Sequence, residues 1–256
     1  MNNRWRFTPT ELLVVWPMLG ASGFPYPFDV RASGATTDEW ARLQDAARAR
    51  LSSRAIVRSG RLDADVEAAL RTLLRPRVSV DAYGFFGDRD ESVVRVLGAH
   101  AGGSAVLAVQ LPGRSEHLGG ELTVEVMPAP HLAAAVAAAL PPAPRGHEPA
   151  LRLASSELTR ERSDVVVQPV APTPSQRGRV QLGALTQGPL AGAGQFGVST
   201  FHRDQPVRTG ALRWFDRPGD GRYLLSTGDA VTVRGADVAL LATALNDELG
   251  RVPVHA

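Results

Sequence analysis

Three glycines, Gly192, Gly194 and Gly197, give the segment GAGQFG the G-x-G-x-x-G spacing of a dinucleotide-binding loop. Such a loop needs a strand before the glycines and a helix after them, so that the phosphates meet the helix N-terminus. Here the preceding LTQGPLA does not have the pattern of a strand, and the following QFGVSTFH alternates as a strand does. We therefore expect no cofactor at this segment, and interpret the glycines as a flexible entry into a strand.

The segment RPGDGR at 217–222 raises the same question of phosphate binding. It lies between two β-rich runs, and Asp-Gly after Pro-Gly is typical of a hairpin turn. It also lacks the Lys and the Ser or Thr of a phosphate-binding loop. We predict a hairpin turn.

No other pattern assembles a catalytic or metal site. The chain has no cysteine, and none of its six histidines stands four residues from another on a predicted helix. Ser199 in GVSTF lacks the glycine spacing of a nucleophile elbow. Four acidic residues cluster in and after one predicted strand, where a solvated turn is the simplest interpretation: Asp81, Asp88, Asp90 and Glu91. We expect a protein that is not an enzyme and holds no cofactor or metal.

The charge balance argues against a polyanion as the partner. The sequence pI of 9.6 looks basic, but the net charge is only +2 and every basic residue except histidine is arginine. With no lysine or cysteine to titrate, the pI exaggerates the positive field at neutral pH. No stretch reaches the roughly 18 apolar residues of a membrane helix. We expect a cytoplasmic chain with no membrane insertion and no nucleic-acid partner.

The first half of the chain reads as three helices, four strands and a helix. Thr8, Pro9 and Glu11 form a capping box with proline at its favoured position, and Pro17 ends or kinks that helix. Thr36 and Asp63 open two more helices with apolar stripes. The strands and the closing helix follow with short connections, which predicts antiparallel neighbours: 78–86, 91–98, 104–111, 121–127 and helix 131–140.

The second half repeats this order after a proline-rich linker at 141–175. One or two weak helices are expected within 155–190. Four strands and a helix then follow: 195–202, 207–215, 222–226, 230–233 and helix 236–249. We predict an α+β fold with a central antiparallel sheet and a pseudo-two-fold repeat, in halves 1–145 and 146–256 that form one compact domain.

Several segments, in order, resemble the EspG family, the cytosolic chaperones of type VII (ESX) secretion in actinobacteria. They are FTPTELLVVW, FPYPFDV, GQFGV, RWFDRPGDGRYLL and VTVRGADVALLATAL. The departures from the family pattern are Pro17 and the proline-broken region 141–190. The resemblance implies a central antiparallel sheet flanked by helical bundles, and binding of helical PE/PPE secretion substrates without catalysis or cofactor.

The resemblance also implies where the partner would bind, namely on strands 195–226 and helix 236–249. Because alternate residues of a strand face opposite sides, one face of these strands covers a core and the other presents aromatic and arginine side chains. Such residues often dominate protein–protein interfaces. The alternative is that helices cover both faces. The predicted partner-binding residues are Phe201, Arg213, Trp214, Arg222 and Tyr223. Whether the unbound chain forms a homodimer is left open.

A nucleic-acid-binding regulator is the alternative. Helices 36–51 and 63–74 followed by strand 78–86 have winged-helix order. Against it, the second helix begins with Asp63, Asp65 and Glu67, where a recognition helix would meet phosphates. A small hydrolase, the third interpretation, has no assembled nucleophile and base.

Overall fold

The computed structural model describes residues 3–32, 36–87, 92–113, 118–156, 174–202 and 205–252. The first half contains β1 (Arg4–Phe7), α1 (Pro9–Met18), α2 (Thr37–Ser53), β2 (Val57–Arg58), β3 (Arg61–Leu62), α3 (Ala64–Leu74), β4 (Val78–Phe86), β5 (Ser92–Ala101), β6 (Ser104–Pro112), β7 (Gly119–Pro128) and α4 (Leu132–Ala138). The second half contains β8 (Leu151–Ala154), α5 (Pro174–Thr186), β9 (Gly192–His202), β10 (Gln205–Arg217), β11 (Gly221–Ser226), β12 (Ala230–Gly235) and α6 (Val238–Gly250).

Ten of these strands form one antiparallel sheet in the order β1-β7-β6-β5-β4-β9-β10-β11-β12-β8. The central pair is β4 and β9, with Val78 opposite Thr200 and Phe86 opposite Gly192. From this pair outward, each side shows four consecutive strands and then one edge strand. A helix follows the fourth strand on each side, α4 after β7 and α6 after β12. The predicted α+β class and the repeat of four strands plus helix are confirmed.

The helix starts follow from their capping residues. The Thr8 hydroxyl accepts from the Glu11 N–H at 3.3 Å, and the Glu11 carboxylate accepts from the Thr8 N–H at 2.9 Å. At the start of α2 the Thr36 hydroxyl accepts from the Glu39 N–H, and at the start of α3 the Asp63 carboxylate accepts from the Asp65 N–H. Pro17 lies in the last turn of α1, so it is accommodated just before the helix ends. These predictions are confirmed.

The edges of the sheet differ from the prediction. Strands β1 and β8 are each four residues long and pair with β7 and β12. They are too short to show a clear alternation, so the sequence pattern missed them. Within the proline-rich region the structure gives β8 and the helix α5, whereas residues 157–173 lie outside the described part of the chain. The proposed halves 1–145 and 146–256 both contribute strands to this one sheet.

The first face of the sheet is covered by α4 and α6, which pack against each other. One apolar cluster fills the space beneath both helices. Its members from the central strands include Val80, Val96, Phe196 and Trp214, all almost fully buried. This face is closed along the centre of the sheet.

The second face is covered by two separate groups of helices. Helices α1 to α3 bury one cluster over the first half, with Phe7, Leu12 and Leu70 among its fully buried members. Helix α5 covers a smaller cluster over β8, β11 and β12, which contains Leu153 and Tyr223. Between these two clusters lies the middle of the sheet.

The winged-helix alternative is wrong for this fold. Segment 78–86 is not a wing at the margin of a small domain, because β4 hydrogen-bonds to β5 on one side and β9 on the other. Helix α3 buries Val66, Leu70 and Leu73 against this sheet. Its first turn carries Asp65 and Glu67, as the sequence indicated.

Candidate partner-binding surface

The middle of the second face carries polar and aromatic side chains rather than a continuous apolar layer. We call it the central strip and define it by residues of β4, β5, β9 and β10 that share this face in the strand register: Ser79, Asp81, Tyr83, Arg95, Leu97, Gln195, Ser199, Phe201, Pro206, Arg208 and Arg213. Tyr83 is 38% exposed although its strand is central in the sheet. A central strand normally buries both faces, so this exposure marks a surface left open.

A groove of about 590 Å³ lies at one end of the central strip. Its walls come from the loop after α1, the end of α3 and the strip itself. Most of the wall is apolar, and four polar side chains lie at its floor. The lining comprises Gly23, Phe24, Pro25, Tyr26, Leu73, Leu74, Pro76, Ser79, Asp81, Leu97, Ser199, Phe201, Pro206 and Arg208. This volume suits a few side chains of a partner.

The loop that forms one wall is held by specific contacts. The Trp16 indole N–H donates to the Gly23 carbonyl at 2.8 Å, and the Trp16 and Phe24 rings lie 4.6 Å apart. The Phe28 N–H donates to the Pro25 carbonyl at 3.0 Å, which closes a turn around a cis Tyr26–Pro27 peptide. The segment FPYPFDV therefore contains a turn, although alternating prolines favour an extended backbone. The turn leaves the Tyr26 ring 55% exposed, 6.4 Å from the Tyr83 ring.

An ion pair forms the polar floor of the groove. Arg208 Nη1 and Nη2 each lie 3.1 Å from a different carboxylate oxygen of Asp81. Asp81 is almost fully buried, whereas the Arg208 side chain is 40% exposed. Burial raises the pKa of Asp81 to about 6, against the opposing attraction of Arg208. The other members of the predicted acidic cluster, 88–91, lie outside the described residues.

The glycine motif is explained by two side chains that cross β9. Gly197 is the strand partner of Asp81, and a Cβ there would overlap the Arg208 guanidinium. Gly194 is the partner of Gly84, and a Cβ at either would overlap the indole of Trp214 on the other face. The motif therefore lies inside a central strand. Interpreting it as a flexible strand entry was wrong, because the missing side chains make room for Trp214 and Arg208.

Two of the predicted partner-binding residues are core residues of the first face. Trp214 is 1% exposed and stacks on Phe86 with ring centroids 5.0 Å apart. Arg222 is 2% exposed, lies 5.1 Å over the Trp214 ring, and makes two hydrogen bonds of 2.7 and 2.8 Å to Asp216. It also donates to the Pro141 carbonyl at 2.9 Å. Neither side chain offers contact area to a partner in this structure, which corrects that prediction.

Tyr223 is buried on the second face, within the cluster covered by α5. Its ring stacks on Phe215 at 5.3 Å. Its hydroxyl donates to Asp220 at 2.5 Å and accepts from the Glu148 N–H at 3.0 Å. Burial, and then the Asp220 carboxylate, raise the pKa of Tyr223. Tyr223 is 0% exposed, and its hydroxyl connects the segment around Glu148 to the β10–β11 hairpin. The prediction that Tyr223 contacts a partner directly is therefore corrected as well.

The other two predicted residues lie on the central strip. Phe201 is partly buried at the wall of the groove, and Arg213 is exposed on β10, opposite Gln195 of β9. Both stay predictions as contact residues. Tyr26 and Tyr83 were not predicted from the sequence, although the alternation of Ser79, Asp81 and Tyr83 with apolar neighbours favours a polar face.

Within the ranges that the structure describes, no three His, Asp or Glu residues are grouped so that they could hold a metal ion. None of the helices in those ranges is both long and apolar enough to cross a bilayer.

Comparison with known proteins agrees with this architecture. No curated protein matches the sequence significantly. Among solved structures, the type VII secretion system chaperone EspG5 of Mycobacterium tuberculosis, in complex with a PE25-PPE41 dimer, superposes with a TM-score of 0.68 at 15% identity, over 99% of this chain and 98% of that one. That likeness shows the shared fold.

Two other solved structures align with low TM-scores. HtdX of Mycobacterium tuberculosis is 11% identical over 91% of this chain and all of its own, with a TM-score of 0.17. The dehydratase domain from the CurJ module of curacin polyketide synthase is 10% identical over 93% of this chain and 92% of its own, with a TM-score of 0.12. The sequence profile of the EspG family, by contrast, matches residues 8–247, and the chain belongs to the EspG family.

Proposed function

We propose that this protein is a cytoplasmic chaperone of a type VII secretion system, which binds helical PE/PPE-type substrates through the central strip and catalyses no reaction. Membership of the EspG family supports the class of partner. The EspG5 structure of the same fold contains a PE25-PPE41 dimer. The observation that carries the surface assignment is the open middle of the second face, between the helices of the first half and α5.

The composition of the strip suits a reversible protein interface. Tyr83 and Tyr26 present large rings with little entropy to lose, and Arg213 presents an exposed guanidinium. Phe24, Leu73 and Phe201 give the adjoining groove apolar walls. A secretion substrate with an exposed apolar region would aggregate unless it were covered. A few anchors around one groove would cover such a region and still permit release.

The buried residues Trp214, Arg222 and Tyr223 have a supporting role in this proposal. Trp214 and Arg222 pack the first face, and Tyr223 anchors the β10–β11 hairpin. Trp214 lies on β10 and the other two lie on the paired strand β11, so all three support the strand that carries Arg208 and Arg213. Their substitution would weaken binding by weakening the fold.

Co-expression with the PE/PPE pair encoded beside this chain tests the proposal. We expect one stoichiometric complex on size exclusion, with the partner insoluble when expressed alone. Tyr83→Ala and Arg213→Ala should reduce co-elution. Leu111→Ala and Arg61→Ala are matched controls, because both positions are exposed and lie away from the strip. A soluble, correctly paired partner that never co-elutes with the wild-type chain would overturn the proposal.

The same chromatography of the chain alone reports whether it forms a homodimer when unbound. No observation favours nucleic-acid binding as a second function, since the exposed start of α3 is acidic.

A further inference from the structure

Arg208 and Asp81 form a unit that core packing does not require. The pair lies on the open strip, outside the three apolar clusters, and Arg208 crosses β9 only because position 197 is glycine. An ion pair with one partly exposed partner contributes little to stability, and burying the Asp81 carboxylate is unfavourable unless something offsets it. A defined position for the guanidinium is what the arrangement provides.

The guanidinium retains hydrogen-bonding capacity. Arginine has five N–H donors, and the two 3.1 Å contacts to Asp81 use one on each Nη. Among the residues that the structure describes, no other group accepts a hydrogen bond from Arg208. The Arg208 side chain is 40% exposed at the floor of the groove. Arg208 therefore lines the space that a partner would enter and has donors left to offer it.

We propose, resting on the function proposed above, that Asp81 is a positioning residue that holds Arg208 across Gly197, and that Arg208 is the specificity-determining donor of the groove, binding the unpaired main-chain carbonyls at the end of a partner helix. The last four carbonyls of a helix lack partners within the helix and carry its negative dipole end. An apolar side chain from the same helix end would fill the groove against Phe24, Leu73 and Phe201.

The charge of the pair selects this occupant over an acidic side chain. Asp81 neutralises Arg208, so the unit has no net charge to attract a second carboxylate. A partner carboxylate at Arg208 would also lie within a few ångströms of the Asp81 carboxylate, and like charges that close repel. A carbonyl accepts the same hydrogen bonds without that repulsion.

Affinity measurements by isothermal titration test the unit with the PE/PPE pair encoded beside this chain. Arg208→Met removes the donors and keeps the length of the side chain, and Gly197→Ala displaces the guanidinium without changing charge. We expect each to weaken binding roughly tenfold, as for loss of a hydrogen bond to a charged group. The double variant should bind no more weakly than Arg208→Met, since both changes remove one interaction. Arg61→Met is the control, and thermal melting confirms that each variant folds.

Asp81→Asn distinguishes positioning from simple charge pairing. If Asp81 positions Arg208 for a carbonyl, the isosteric amide should weaken binding. Tighter binding would mean that Asp81 competes with a partner carboxylate, and would overturn the carbonyl assignment. If the losses of binding free energy from Arg208→Met and Gly197→Ala add up in the double variant, the two changes remove separate interactions, and the inference of a single unit would be overturned. If the wild-type chain binds and the Arg208→Met variant binds with the same affinity, this inference alone would be overturned. If the wild-type chain does not bind, the proposed function would be overturned as well.

Discussion

The two faces of the sheet use the same device for opposite purposes. On the first face, Gly194 and Gly84 leave room for the Trp214 indole, and the helices α4 and α6 close over it. On the second face, Gly197 leaves room for Arg208, and none of the helices that the structure describes closes over that part of the strip. The comparison teaches that a large side chain laid across glycines serves packing where it is covered, and is available for recognition where it is not.

The largest expected effect comes from removing the covered side chain. Trp214→Ala leaves a cavity between two glycines that cannot fill it, and removes the stacking on Phe86. We expect the free energy of unfolding to fall by about 4 kcal/mol. Chemical denaturation measures this change in unfolding free energy. Arg208→Met, the matching substitution on the open face, is measured in the same way for comparison. A loss for Arg208→Met as large as that for Trp214→Ala would contradict the contrast between the faces.

The buried ion pair of the first face should be nearly as sensitive. Asp216→Asn leaves Arg222 without its charge partner at 2% exposure, whereas Arg208 can be hydrated if it loses Asp81. Breaking a buried pair at one partner costs about 3 kcal/mol. We expect that loss of unfolding free energy for Asp216→Asn, and a much smaller one for Asp81→Asn at pH 7. Equal losses in denaturant titrations would show that exposure does not separate the two pairs.

The pH dependence of stability sharpens the same contrast. The pKa of Asp81 is raised to about 6 from an ordinary 3.8, chiefly by burial, with Arg208 as the charged group facing it. The folded chain then holds this proton more tightly than the unfolded chain, so the contribution to stability is complete below pH 4 and is lost as pH rises through about 6. The loss is at most about 3 kcal/mol.

Asp81→Asn removes this titration, so its stability relative to wild type should improve between pH 4 and pH 7. Denaturant titrations of both proteins at the two pH values measure the change. Glu67→Gln, an exposed carboxylate in an i,i+4 pair, is the control and should show little change. An Asp81→Asn difference that stays constant with pH would contradict the assignment.

Local signals in the sequence predicted much of this fold. The caps at Thr8, Thr36 and Asp63, and the alternation along 78–86 and 104–111, gave the helix starts and the strands of both halves. They work because capping and pleating depend on neighbours within a few residues. The edge strands β1 and β8 depend on partners far along the chain, and four residues are too few to reveal them.

The site was harder to predict because the core and an interface favour the same residue types. Trp214, Arg222 and Tyr223 have the chemistry of interface anchors, and only the tertiary structure shows that they are covered. One signal was present, since Asp216 and Arg222 are direct cross-strand partners in the predicted hairpin. An aspartate directly opposite an arginine across a hairpin favours an ion pair between the two strands over contact with a partner. Which helices leave a face open depends on the order of strands in the sheet, and no local pattern encodes that order.

We expect the smallest effect on stability for a substitution on the open face. Such a substitution distinguishes a residue that binds the partner from one that holds the fold. Tyr83 is exposed, and its ring lies beside the exposed Tyr26 ring and against the guanidinium of the buried Arg95. Tyr83→Ala should change the free energy of unfolding by no more than about 1 kcal/mol, whereas loss of an interface anchor should weaken PE/PPE binding about tenfold. Denaturant and calorimetric titrations of the same sample measure both quantities. Tyr83→Phe keeps the ring and serves as the control. A variant that loses stability and keeps its affinity would place Tyr83 with Trp214 among the residues that hold the fold, and the open face would then need another anchor.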